Sequence, residues 1–203
     1  MKPSALVPLF VLCGLGAGAV ALAEGSAEKG QSKSTACVAC HGMNGNSANP
    51  EWPSLAGQHE QYIRKQLQAF KSGARKNPLM TPMAMALSDD DMADLGAYFA
   101  SQKPAGLEAD PGKLALGQRL FRSGDTKSGI PACASCHGPT GAGNPAAAYP
   151  LLRSQYGTYV GAQLRAYRAG TRQTDPNKMM RDVASTMSDE QIDAVASYIQ
   201  GLR

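Results

Sequence analysis

Cys37, Cys40 and His41 stand in the order Cys-x-x-Cys-His, and Cys133, Cys136 and His137 repeat it. This spacing is the attachment signature of c-type haem. Two thiols on one helical turn can add across the two vinyl groups of a haem. The adjoining imidazole can then send a nitrogen to the iron. A glycine follows each copy, Gly42 and Gly138. A redox dithiol also uses Cys-x-x-Cys, but it has no need of the histidine. A zinc site rarely pairs two such units in separate repeats. The expected cofactors are therefore two covalently bound haem c groups.

The first residues read as a targeting segment. Lys2 gives a positive start, Leu6 to Val20 is mostly apolar and small, and Ala21-Leu22-Ala23 fits an A-x-A cleavage site. Residues 1–23 are expected to be removed, which makes Glu24 the first residue of the mature chain. A retained anchor is the alternative, although the apolar run is short for a membrane span. The fifth cysteine, Cys13, goes with this segment, so the two signatures consume every remaining thiol. Covalent haem is attached outside the cytoplasm, and the expected compartment is a bacterial periplasm.

The charge divides unevenly. Residues 24–104 carry eight basic and eight acidic side chains, and residues 105–203 carry eleven and eight. That asymmetry can orient a partner. No basic run with interleaved aromatics appears, so nucleic acid is not an expected partner.

One module is written twice. Tyr62, Gln66, Leu67, Phe70, Gly73 and Arg75 match Tyr159, Gln163, Leu164, Tyr167, Gly170 and Arg172 at a constant offset of 97 residues. The apolar members follow helical spacing, and Gly73 and Gly170 read as C-terminal stops. Each half ends in a helix capped by Ser88 or Ser188, with Gln191 completing a capping box in the second. Leu95, Tyr98 and Phe99 answer Val195, Tyr198 and Ile199 on the buried faces. A short helix is expected before each haem motif, with Gly30 and Gly117 in register. The second half inserts Gly124 to Pro131 before its cysteines. No segment has a strand period. The fold class is all-α. The halves are an N-terminal domain over 24–103, a linker over 104–111 and a C-terminal domain over 112–203.

With these features in place, the chain resembles class I cytochromes c, and in tandem form the dihaem cytochrome c4 family. The resemblance covers nearly the whole mature chain. It includes Pro53-Ser54-Leu55-Ala56-Gly57-Gln58 and the closing Val195 to Leu202. The second half departs from it, with Pro150-Leu151-Leu152-Arg153-Ser154-Gln155 in place of the first stretch. The resemblance implies two tandem class I domains and two low-spin haems with His/Met ligation. It also implies a periplasmic carrier between a quinol-oxidising complex and a terminal oxidase. Such a carrier is expected as a monomer, compatible with peripheral association with membrane complexes.

Register selects the methionines. Aligning Ser88 with Ser188 shifts the chain by 100 residues, and only Met80 and Met180 then face one another. The expected iron ligands are His41 and Met80 for the first haem, and His137 and Met180 for the second. Met83 and Met179 are the nearest alternatives. Pro53 and Pro150 are candidates to offer a carbonyl to the proximal imidazole, or are ordinary loop prolines. Arg75 and Arg172 either pair with haem propionates or, the preferred reading, sit at helix ends facing water. His59, replaced by Tyr156 in the repeat, is expected to be solvated. Tyr98 and Tyr198 are expected to pack at a helix crossing. No catalytic residue is expected. The rivals are a cytochrome subunit of a larger dehydrogenase and, less favoured, a dihaem peroxidase-type enzyme.

Overall fold

The computed structural model describes residues 25–203. The expected targeting segment and cleavage site lie outside the described residues. The first half runs α1 (Ala27–Lys33), α2 (Val38–His41), α3 (Glu60–Lys71), α4 (Met80–Met85) and α5 (Asp89–Ser101). The second runs α6 (Leu114–Ser123), α7 (Ala134–His137), α8 (Gly157–Arg168), α9 (Met179–Ser185) and α10 (Asp189–Gly201). The only extended pairings among the described residues are two isolated bridges, Asp125 with Ile130 and Asn144 with Tyr149. The first closes the insertion before the second haem motif. None of the described helices is long and apolar enough to cross a membrane.

The first and last helices of each half cross, α1 on α5 and α6 on α10, and the middle helices α3 and α8 close the bundle. Glycine permits each crossing. A β-carbon on Gly30 would lie 2.0 Å from the Asp94 carbonyl oxygen, and one on Gly117 would lie 2.2 Å from that of Ala194. Tyr98 and Tyr198 fill the same crossings and are buried there, as expected. Gly117→Ala should therefore push α6 off α10. The expected cost is about 1–3 kcal/mol, the usual range for overpacking, measured as a shift in the denaturant midpoint.

The core of the second half gathers Leu120, Phe121, Val160, Ile192, Val195 and Ile199; that of the first gathers Ile63, Leu95, Tyr98 and Phe99. Both closing helices start with a capping box. Ser188 and Gln191 form the expected one, and Asp91 takes the reciprocal role opposite Ser88. Aspartate is shorter than the Glu or Gln of the usual pattern, yet the Ser88 amide donates to the Asp91 carboxylate at 2.8 Å.

The departure at Leu152-Arg153-Ser154 leaves the local path unchanged. Gly57 has φ +70°, and its counterpart Ser154 adopts φ +58°. The serine accepts the left-handed conformation, and its hydroxyl donates to the Leu202 carbonyl at 3.2 Å. Gln58 and Gln155 thereby keep equivalent positions.

Candidate haem sites

Each Cys-x-x-Cys-His motif forms a single helical turn. In the first, the His41 amide donates to the Cys37 carbonyl at 2.9 Å; in the second, His137 donates to Cys133 at 2.9 Å. The turn stops at a glycine with φ +78° (Gly42) or +77° (Gly138). At Gly42 the stop is also steric, since a β-carbon would lie 2.0 Å from the Asn46 carbonyl oxygen.

His41 and His137 are both buried. The Nδ1 of His41 lies 2.8 Å from the Pro53 carbonyl oxygen, and that of His137 lies 3.0 Å from the Pro150 oxygen. A carbonyl only accepts, so Nδ1 carries the proton in both rings. Nε2 is left with its lone pair free for a metal. Both prolines therefore do offer a carbonyl to the imidazole. Burial lowers the pKa of both histidines, with the proline bond pulling the other way. Each ring is thus kept neutral, the form that binds iron.

All four thiols are unpaired. Burial raises the pKa of Cys37, with Cys40 adding to the effect, and pushes Cys133 up to about 11. A redox dithiol relies on a depressed value, so these cysteines are poorly suited to that role. Cys37 packs on the core of the first half and Cys133 on that of the second. A covalent haem at either pair therefore extends an existing apolar cluster. The residues fit the group in both halves.

Met80 and Met180 are each half-buried in the first turn of a short helix facing the middle helix of its half. Met83 and Met85 are exposed, at 42% and 63%, while Met92 and Met187 are buried in the cores. The Met179 sulfur already accepts from the Tyr149 hydroxyl at 3.8 Å. Ala84 and Ala184, 100 residues apart, are both fully buried, consistent with the same register for the two methionine loops.

The two halves meet through a nearly two-fold set of polar contacts. Arg75 donates to Gln66 of its own half at 2.8 Å, and to Tyr159 (2.9 Å) and Gln163 (2.8 Å) of the other. Arg172 donates to its own Gln163 at 2.9 Å, and to Tyr62 (2.9 Å) and Gln66 (3.0 Å) across the interface. Each guanidinium also covers a ring of its own half, Phe70 or Tyr167, at 4.6 Å. Arg172 is only 6% exposed. The expectation of helix ends facing water is corrected here. These arginines are interface residues, because the planar fork of guanidinium donors satisfies acceptors from both halves at once. Among the described residues no carboxylate forms an ion pair with either.

His59 is corrected too. It is half-buried, and its Nε2 lies 2.9 Å from the Ala142 carbonyl oxygen of the opposite half. Its counterpart Tyr156 likewise donates across, to the Ser47 carbonyl at 2.7 Å. Gln58 and Gln155 end the sequence stretches that begin at Pro53 and Pro150, but sequence reasoning gave neither a role. Their repetition at the constant offset was the available signal.

Comparison with known proteins agrees with this geometry. The cytochrome c family model matches residues 27–103 and again 114–203. Cytochrome c4 of Azotobacter vinelandii is 47% identical over 208 residues, covering 98% of each chain. The thiosulfate dehydrogenase electron acceptor of Stutzerimonas stutzeri is 42% identical, over 80% of this chain and 77% of that one. The crystal structure of reduced cytochrome c4 from Pseudomonas stutzeri superimposes with a TM-score of 0.86 at 46% identity, over 88% of this chain and 100% of that one. Two unpaired dithiol turns, two neutral buried imidazoles and these relatives lead to one conclusion. The chain belongs to the cytochrome c4 family, holds two covalent haem c groups and carries electrons without being an enzyme.

Proposed function

We propose that this chain is a periplasmic carrier between a quinol-oxidising complex and a terminal oxidase, with both haems His/Met ligated. The observation that carries the ligation is the pair of oriented imidazoles, His41 and His137, each matched by a methionine at one register. Cys37 and Cys40 hold the first haem and Cys133 and Cys136 the second. Met80 and Met180 complete the iron coordination. When bound, each haem supplies a one-electron redox iron, and two protein ligands leave neither iron an open position for substrate. The protein orients the imidazoles, keeps them neutral and excludes water around them.

Among the described residues Arg75 and Arg172 pair with no carboxylate, and haem propionates are the anions that would balance them. The outer face around α4 exposes Leu79, Met83 and Met85 without a charged side chain between Asn77 and Ser88. Such a surface suits a small, quickly released partner contact. The domain boundaries 24–103 and 112–203, removal of residues 1–23 and a monomeric state belong to the same proposal.

The second reading, an electron acceptor of a larger dehydrogenase, is favoured by the thiosulfate dehydrogenase electron acceptor among the relatives. A spectroscopic redox titration of the isolated protein tests the ligation. Two one-electron steps with low-spin His/Met spectra in both are expected. A high-spin centre that binds peroxide would overturn it. Co-purification with a dehydrogenase would favour the second reading over the oxidase pathway.

A further inference from the structure

Each imidazole is held by a peptide group whose other end is fixed by the opposite half. The Pro53–Ser54 peptide accepts from His41 Nδ1 through its carbonyl at 2.8 Å, and its N–H donates to Gln155 Oε1 at 2.9 Å. The Pro150–Leu151 peptide accepts from His137 at 3.0 Å, and its N–H donates to Gln58 Oε1 at 2.9 Å. Each glutamine also returns a bond from its amide nitrogen. Gln155 donates to the Ser54 carbonyl at 2.8 Å, and Gln58 to the Leu151 carbonyl at 2.9 Å. Both glutamines are buried, and each accepts from the next backbone amide, His59 or Tyr156, which fixes its rotamer.

We infer that Gln155 is a positioning residue for the first haem and Gln58 for the second, so each iron is tuned by the half that does not bind it. The inference rests on His41 and His137 being the iron ligands. Hydrogen bonds in series polarise one another. A peptide whose N–H donates has a more negative carbonyl oxygen. That oxygen draws harder on the Nδ1 proton and leaves the imidazole a stronger electron donor. A richer donor favours ferric over ferrous iron and lowers the potential. The path from Gln155 to the first iron is one amide, one peptide and one ring, with Gln155 and His41 buried and the peptide between them partly so.

The test is an NMR-followed redox titration of the full-length haem protein, in which the haem-methyl lines of the two centres are tracked separately. Gln155→Leu should raise the potential of the haem on Cys37 and Cys40, and leave the other in place. It should also speed exchange of the His41 Nδ1 proton. Gln58→Leu should do the mirror image at the haem on Cys133 and Cys136. Gln155→Glu keeps an acceptor at the same reach and should restore slow exchange at His41, which a mere packing role does not predict. Tyr156→Phe removes an interface bond that touches neither peptide, and should move neither potential. If Gln155→Leu shifts the haem of its own half, shifts both alike, or shifts neither in a folded protein, the crossed assignment is wrong. Should Gln155→Leu fail to fold, Gln155→Met retains the length without the acceptor and carries the same crossed expectation. Failure of the underlying ligation would show separately, as wild-type spectra lacking His/Met character.

Discussion

Met80→Ala and Met180→Ala should each remove about half of the far-red sulfur-to-iron band and lower one of the two potentials, since thioether ligation raises a haem potential. Position separates these two methionines from the others. Met92 and Met187 are sealed in the cores, and Met83 and Met85 point outward from α4. Met179 is half-buried like Met180, but its sulfur is engaged by Tyr149. Met80 is the first residue of α4 and Met180 the second of α9, and both stand eight residues before the capping serine. The effect of each substitution should be confined to one centre, because the two loops belong to different halves. Loss of half the band in Met83→Ala with an unchanged Met80→Ala spectrum would move the first ligand by one helical turn. The same outcome for Met179→Ala would move the second.

Replacing both Cys133 and Cys136 by alanine should yield a chain one haem lighter by mass spectrometry, with the haem on Cys37 and Cys40 intact. The loss should reach beyond the cofactor. Cys133 packs against the core that holds Leu120, Phe121, Val195 and Ile199, so a haem attached there closes one side of that cluster. A half of this size buries a modest core and depends on such a staple. The second half should therefore unfold at a lower temperature than the first, giving two transitions where the wild type is expected to show closer ones. A mass spectrum still carrying two haem additions would refute the attachment site.

The helices, their caps and the haem turns were legible because each is written in local spacing. Ser88 and Ser188 sit at helix starts, Gly73 and Gly170 just past helix ends, and both halves repeat the pattern. The contact between halves was not legible for a physical reason. A polar surface buried against another polar surface uses the same residues as one facing water. Arg172 and His59 were read as solvated on that basis, and the partners that bury them, Gln163, Tyr62, Gln66 and Ala142, are mostly more than eighty residues away in sequence. Gln58 and Gln155 show the same limit. Their repetition at the 97-residue offset marks them as equivalent but does not show which distant backbone each one binds. The left-handed Ser154 was hidden as well, since serine rarely takes the place of a glycine at positive φ.

The linker has a consequence for how strong the contact between halves has to be. Asn46 binds the Lys103 carbonyl at 3.1 Å and the Ala105 amide at 2.7 Å, while the Asp110 amide donates to Ser197 at 2.9 Å. The short segment between is thus pinned to both halves. A tether this short sets an effective concentration on the order of 1 mM. Two free halves with a dissociation constant of about 10 μM would be mostly apart in dilute solution, whereas the tethered pair stays closed about 99% of the time. A polar contact, weaker than an apolar core, is therefore sufficient. Passage of an electron from one iron to the other becomes a unimolecular event, with a rate independent of how much of the protein is present.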